Sequence, residues 1–188
     1  CDDPEVQKVL PQFVLTNDKN LTRAEKIALA SLPAQLSWVV GTKGWVSAAI
    51  MHSLLTMIRR AVRIKRPHGE ILLYMDSATI HLAAPVLLHC SRLGLHPCFV
   101  PAGMTYLCQP LDSHVFASFK RMLAELQERA RGDNSLGIMP AGAWIDIASN
   151  STQAIPVEKD WFAAFAANEM NLSLVHLRPR ISSLLPGR

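Results

Sequence analysis

The stretch Ile71-Leu72-Leu73-Tyr74-Met75-Asp76-Ser77-Ala78-Thr79-Ile80-His81 decides how this chain is read. Its first five residues are apolar without alternation and have the length of a strand. Such a run suits a strand covered on both faces, as in α/β sheets. The run ends at Asp76. Residues 81–93 then carry helical patterning, with Pro85 tolerated only in the first turn and Gly94 as the stop. Residues 97–100 (PCFV) form a second short strand, closed by Pro101 and Gly103. Strand, helix and strand within 30 residues predict a βαβ unit with parallel strands.

Upstream, Ser47 to about Arg66 reads as a helix. Ile50, Leu54, Met57, Ile58 and Ala61 make one apolar stripe, and Ser47 is its N-cap. Its far end carries Arg59, Arg60, Arg63, Lys65 and Arg66 with no acid among them, and Pro67 and Gly69 stop it. Residues 9–16 (VLPQFVLT) predict a short strand. The segment from Asn17 to Ser31 is polar and then weakly helical, Pro33 closes it, and Gly41 and Gly44 punctuate a turn.

Downstream, a long helix is expected from Asp112 to Ala130, with Val115, Phe116, Phe119, Met122, Leu123 and Leu126 on one face. Further helices are expected at 141–149 and 157–169. The second has Pro156 at its first position and Trp161, Phe162 and Phe165 as its apolar face. No repeat or linker divides the chain, so residues 1–176 read as one domain and 177–188 as a loose basic tail.

The chain has 188 residues, 49% hydrophobic and 18% charged, which excludes a disordered segment, a collagen-like repeat and a coiled coil. The net charge of +4 leans toward polyanionic partners. No apolar run reaches about 18 residues without a charge, so no membrane span is expected. Four cysteines without a CxxC pair read as reduced, packed thiols. The sequons at Asn20, Asn150 and Asn171 read as chance, and a chain opening on Cys1 rather than Met reads as a fragment.

Two acids stand out by position. Asp76 ends a buried parallel strand, and ligands of open α/β sheets bind beyond that end. Asp112 opens a long helix whose first turn can approach the same edge. Such a pair could hold divalent ions through hard oxygen ligands, and two ions can activate a water and stabilise a leaving oxygen in phosphodiester cleavage. Each acid also has a plainer reading: Asp76 as a turn former, Asp112 as a helix cap favoured by the dipole.

The surrounding words bear on this choice. Leu72 to His81 resembles the strand–loop–helix of the pogo/Tigger-type transposases, of the DDE superfamily endonucleases. There an Asp ends the strand and a His follows five residues later. Val100-Pro101-Ala102-Gly103 through Gln109-Pro110-Leu111-Asp112 resembles that family's proline-bearing loop and its Gln-Pro-Leu-Asp word. Phe119-Lys120, Gly44-Trp45-Val46-Ser47, Leu10 to Leu15 and Trp161 to Phe165 are similar to further family segments in the same order.

The resemblance implies an RNase H-like mixed sheet flanked by helices, missing its first strands, with a helical C-terminal third. It implies three acids holding two Mg²⁺ or Mn²⁺ ions, DNA cleavage and strand transfer, a nuclear setting, and a homo-oligomer in the active parent without a small-molecule cofactor. Asp76 is then the second acid and Asp112 the third. The first belongs to a strand upstream of 9–16, and neither Asp2 nor Asp3 sits where that strand would put it. Ser77 stands where the family commonly has Asn.

His81 either contacts phosphate or water at the site or satisfies its own loop. Gln109 lines the site or braces the turn, His114 is a surface or capping residue, and Cys108 is a packed thiol. Lys120, Arg121, Arg59, Arg63 and Arg66 are the candidate phosphate contacts. The cluster at 59–66 reads equally as a solvated helix end. The competing function is a transposase-derived DNA-binding or scaffold domain without catalysis. A hybrid-cleaving RNase H-like hydrolase fits the Gln-Pro-Leu-Asp word less well.

Overall fold

A computed structural model describes residues 1–17, 22–30, 36–41, 45–132, 143, 145–151 and 160–168. Strand β3 (Ile71–Asp76), helix α4 (Ala84–Leu93) and strand β4 (Leu95–Val100) form the expected parallel βαβ unit. The register runs from Ile71 opposite Leu95 to Asp76 opposite Val100. Pro85 sits in the first turn of α4, where its missing N–H costs nothing, and Gly94 closes the helix at φ +64°. The helix begins at Ala84 rather than 81, because residues 78–83 form turns, with the His81 N–H donating to the Ala78 carbonyl at 2.9 Å.

Helix α3 (Ala48–Lys65) starts at Ser47, whose hydroxyl accepts from the Ile50 N–H. Its buried residues are Met51, Leu55, Ala61 and Val62; of the expected stripe Ala61 is buried and Leu54 packs against the core, whereas Ile50 and Met57 are only half-buried. Met51, Leu55, Ile58 and Val62 have the same i, i+4, i+7, i+11 spacing, so periodicity permits either stripe and packing against β3 and α4 selects one. The resulting core joins Met51 and Leu55 to Met75, Val86, Cys90 and Leu95. Burying this cluster supplies most of the cohesion of this half, at roughly 25 cal/mol per Å² of apolar surface removed from water.

Strand β3 is not covered on both faces among the described residues. Ile71, Leu73 and Met75 face the α3–α4 layer, whereas Leu72 is 61% exposed. Pro97 lies inside β4, which is tolerated where one strand edge has no ladder partner, and β3 is the one described partner of β4.

A second parallel pair is formed by β1 (Gln12–Asn17) and β2 (Leu36–Gly41), with helix α2 (Arg23–Ala30) between them in sequence. Gly41, expected in a turn, is the last residue of β2 and pairs with Asn17. The run Ser37-Trp38-Val39-Val40 is rich in strand formers and accounts for this. The α/β class expected from the sequence is present, and among the described residues its strands form two separate parallel pairs. The first residues of the strand expected at 9–16 lie outside it. A short helix α1 (Pro4–Gln7), capped by Asp3, precedes them and packs Val6 into the interior.

After β4 come α5 (Thr105–Cys108), a π-helical turn over Leu111–Val115, and α6 (Phe116–Gly132). The expected helix from Asp112 is therefore present, but its first turn is widened. Residues 145–151 are helical (α7), and α8 (Trp161–Ala167) follows. The start expected at 157 moves to Trp161, because Asp160 is the cap and accepts from the Ala163 N–H at 2.9 Å. Trp161 and Ala164 are buried and Phe162 is 62% exposed, so the face runs through Trp161, Ala164 and Asn168 instead of Phe162. The expectations for Gly44, Pro156, the polar run after Gly132, the sequons at Asn20 and Asn171, and the tail 177–188 lie outside the described residues.

Candidate functional site

Asp76 stands at the carboxyl end of β3, level with Val100 of β4. Its Oδ1 accepts from the Ala78 N–H at 3.1 Å and from His81 Nδ1 at 2.6 Å. His81 Nδ1 is also 3.2 Å from the Asp76 carbonyl, so every partner of that nitrogen is an acceptor and Nδ1 carries the proton. In the neutral imidazole Nε2 is then the nitrogen with a lone pair. Ser77 donates its hydroxyl to the Val100 carbonyl at 2.7 Å and ties the two strand ends together. Three contacts within the 76–81 loop and one to β4 thus fix this rim, and Asp76 keeps its Oδ2 without a hydrogen bond from any described residue. The Asp76 side chain is 42% exposed and His81 23%, so the pair is reachable from solvent.

Asp112 occupies the second position of the π turn and is half-buried. No described residue donates to its carboxylate. The turn below it is braced by the Gln109 carbonyl, which accepts the N–H groups of Asp112 and Ser113, each at 3.1 Å. Gln109 therefore braces the turn, and it also lines the neighbouring crevice. Cys108 is half-buried and unpaired with any cysteine. His114 is exposed but bonded, with Nδ1 2.6 Å from Ser113 Oγ.

An apolar crevice of about 1030 Å³ lies between the two strand pairs. Gln12 to Leu15 of β1 and Ile71 to Tyr74 of β3 line it, with Leu111, Phe116 and Phe119 closing another side. Side chains of a strand alternate between faces, so lining by consecutive residues means that a strand edge opens onto the space. Neither Asp76 nor Asp112 is in the lining, although Tyr74 and Leu111 beside them are. At its margin Asp3 pairs with Arg66 at 2.8 Å. Partial desolvation pushes the Asp3 carboxyl up, but N–H donors from Val6 and Glu5 and the Arg66 guanidinium outweigh it and hold the group below its ordinary value. Burial pushes the Tyr74 phenol up, with Cys98 and Asp2 adding to the effect.

Of the cations singled out by sequence, Lys120, Arg121 and Arg63 are exposed. Arg59 is turned inward, its Nη1 donating to the Gly69 carbonyl at 2.9 Å. Arg66 is engaged with Asp3 and with the Lys65 carbonyl. Arg59 therefore braces the turn after α3, and Arg66 ties the end of that helix to the cap of α1.

Carboxylate oxygens such as Asp76 Oδ2 and those of Asp112 are hard donors, and their chemistry fits Mg²⁺ or Mn²⁺. Among the described residues no three His, Cys, Asp or Glu side chains gather into a group that could hold a metal ion. The polar contacts around Ser113, His114 and Asn168 were not foreseen from sequence. Asn168 lies 55 residues from Ser113, and no local pattern announces the pairing.

Residues 5–156 match the family described as DDE superfamily endonuclease. No curated protein and no solved structure matches the chain. No helix among the described residues is long and apolar enough to cross a membrane.

Proposed function

The chain belongs to the DDE superfamily endonucleases, and from that premise we propose that it forms the RNase H-like catalytic domain of a pogo/Tigger-type transposase that cuts and joins DNA. The observation that carries the reading is the Asp76–His81 rim. It is a carboxylate at the end of a parallel strand, with one oxygen fixed by two donors and the other uncommitted. Asp76 and Asp112 are the chain's two metal-holding acids. Two Mg²⁺ or Mn²⁺ ions, when bound, supply activation of the attacking oxygen and stabilisation of the leaving one.

The protein groups orient and neutralise. The Ala78 N–H and His81 Nδ1–H hold Asp76 Oδ1, which leaves Oδ2 to face a cation. His81, with its proton held on Nδ1, offers Nε2 as an acceptor for a water or a terminal hydroxyl. Lys120, Arg121 and Arg63 offset phosphate charge, and binding weakens steeply with salt as counterions are retaken. Arg59 and Arg66 act through the fold by holding the end of α3. The first acid sits on an extended segment that adds to a strand edge in the crevice between β1 and β3. The open edges and apolar lining of that crevice support this placement. The active form is a homo-oligomer and works in the nucleus.

The test is metal-dependent nicking by the full-length parent, comparing the unaltered protein with Asp76→Ala. The expected result is a loss of at least ~100-fold, the scale of an electrostatic group removed from a reaction centre, with circular dichroism unchanged. Equal nicking by the variant would overturn the assignment of Asp76. A second reading, a DNA-binding or scaffold domain without catalysis, is favoured by the lack of a three-ligand cluster among the described residues. It predicts salt-dependent DNA binding and no nicking by either form.

A further inference from the structure

We infer that Ser113 and Asn168 are positioning residues for Asp112, clamping the π turn that carries this acid onto α8. The inference rests on Asp112 being a metal-holding carboxylate, as proposed above. It follows from counting protons. The Gln109 carbonyl already accepts two backbone N–H groups, from Asp112 and Ser113 at 3.1 Å each, so both its lone pairs are taken. The Ser113 hydroxyl, 3.0 Å from that crowded carbonyl and equally close to a second acceptor, has one proton, which we assign to the second. That acceptor is Asn168 Oδ1 at 3.0 Å.

The other end of the same amide, Nδ2, donates to the Ala164 carbonyl at 2.6 Å, which fixes which way the amide is turned. His114 Nδ1, 2.6 Å from Ser113 Oγ, then donates into the hydroxyl. The approach of Asn168 Nδ2 to His114 Nδ1 at 3.3 Å is, in this arrangement, a contact between two donors and not a bond. The result is a directional chain from His114 through Ser113 to Asn168, ending on the backbone of α8.

Asn168 is 3% exposed. A buried amide that lost its partner would keep the desolvation cost without the bond, so the contact holds its geometry firmly. On the other side stands a turn that needs holding. π-helical turns are rare, and they recur as single widened turns at functional sites. Asp112 sits within this one. Release of the clamp lets Leu111–Val115 tighten toward ordinary α-helix, which changes the direction in which the Asp112 side chain leaves the axis.

The test is a Mn²⁺ titration of the chain, read by the electron paramagnetic resonance of free and bound ion, with thermal melting in parallel. Ser113→Ala and Asn168→Ala are expected to weaken Mn²⁺ binding about tenfold, the usual effect of removing a group that orients a ligand without touching the metal. Ser113→Thr keeps the hydroxyl and is expected to keep the affinity. Where Asn168→Ala fails to fold, the Ser113→Ala and Ser113→Thr pair decides alone. Folded variants that melt lower but bind Mn²⁺ unchanged overturn the clamp and leave the Asp112 reading intact. Unchanged binding by Asp112→Ala overturns that reading, and the clamp with it. Absence of Mn²⁺ binding by the unaltered chain overturns both.

Discussion

The two acids are held in contrasting ways. Asp76 sits on a rim whose contacts are short in sequence: Ala78 and His81 are two and five residues away. Beneath it lies a core that includes Leu55, Val86 and Cys90, each 0% exposed. Asp112 sits on a widened turn beside an open crevice. Its fixed points are a carbonyl just upstream and an amide 55 residues from its neighbour Ser113. One acid is fixed by a locally folded unit, the other by the meeting of distant parts. A local unit retains its geometry whenever its own core is formed. A distant clamp retains it only when the whole domain is assembled.

Stability should divide along the same line. Leu55→Ala removes a fully buried side chain from the α3–β3–α4 core. It is expected to cost about 2–5 kcal/mol by urea denaturation. Phe119→Ala, on the half-buried face of α6 that borders the crevice, is expected to cost less than half as much. Equal losses would break the contrast.

A smaller effect sharpens it. Ser77→Ala removes the hydroxyl that ties β3 to the Val100 carbonyl, and should cost about 1 kcal/mol. Amide hydrogen exchange should quicken around residues 76–81 but not around Leu111–Val115. Spread of the effect into the π turn would show that the two regions are one unit.

The smallest expected effect is chemical. Cys90 is fully buried, and burial pushes its thiol pKa up. Cys108, next to the π turn, is half-buried. Alkylation of the native chain at pH 8, read by peptide mass spectrometry, should modify Cys108 roughly tenfold faster than Cys90, because only the latter needs a core opening.

The same contrast explains what the sequence disclosed. The βαβ unit was legible because its signals are local: an unbroken apolar run, Pro85 in a first turn, and Gly94 at a left-handed stop. The place of Asp76 at a strand end followed from these. The buried stripe of α3 was legible only in part, at Ala61 and Leu54, since two stripes satisfy one periodicity and only the neighbours select between them. The pairing of β2 with β1 was missed because Gly41 reads as turn chemistry when its partner strand is not in view. Residues 112–130 were legible as a helix, but the π turn was not, because i→i+5 bonding leaves no pattern in residue types. Arg59 and Arg66 illustrate the same point for charge. Composition reveals a basic helix end, and only three dimensions reveal that two of its members are occupied by Gly69 and Asp3.

Pro97 has a consequence for self-association. Among the described residues the flank of β4 away from β3 has no ladder partner, and a ring in place of an amide proton keeps a second molecule from extending a continuous ladder there. Growth of this small sheet is thereby directed to the opposite flank, beside β3. A chain that aggregated through strand exchange would do so there, and occupation of that flank by a proper strand would protect it.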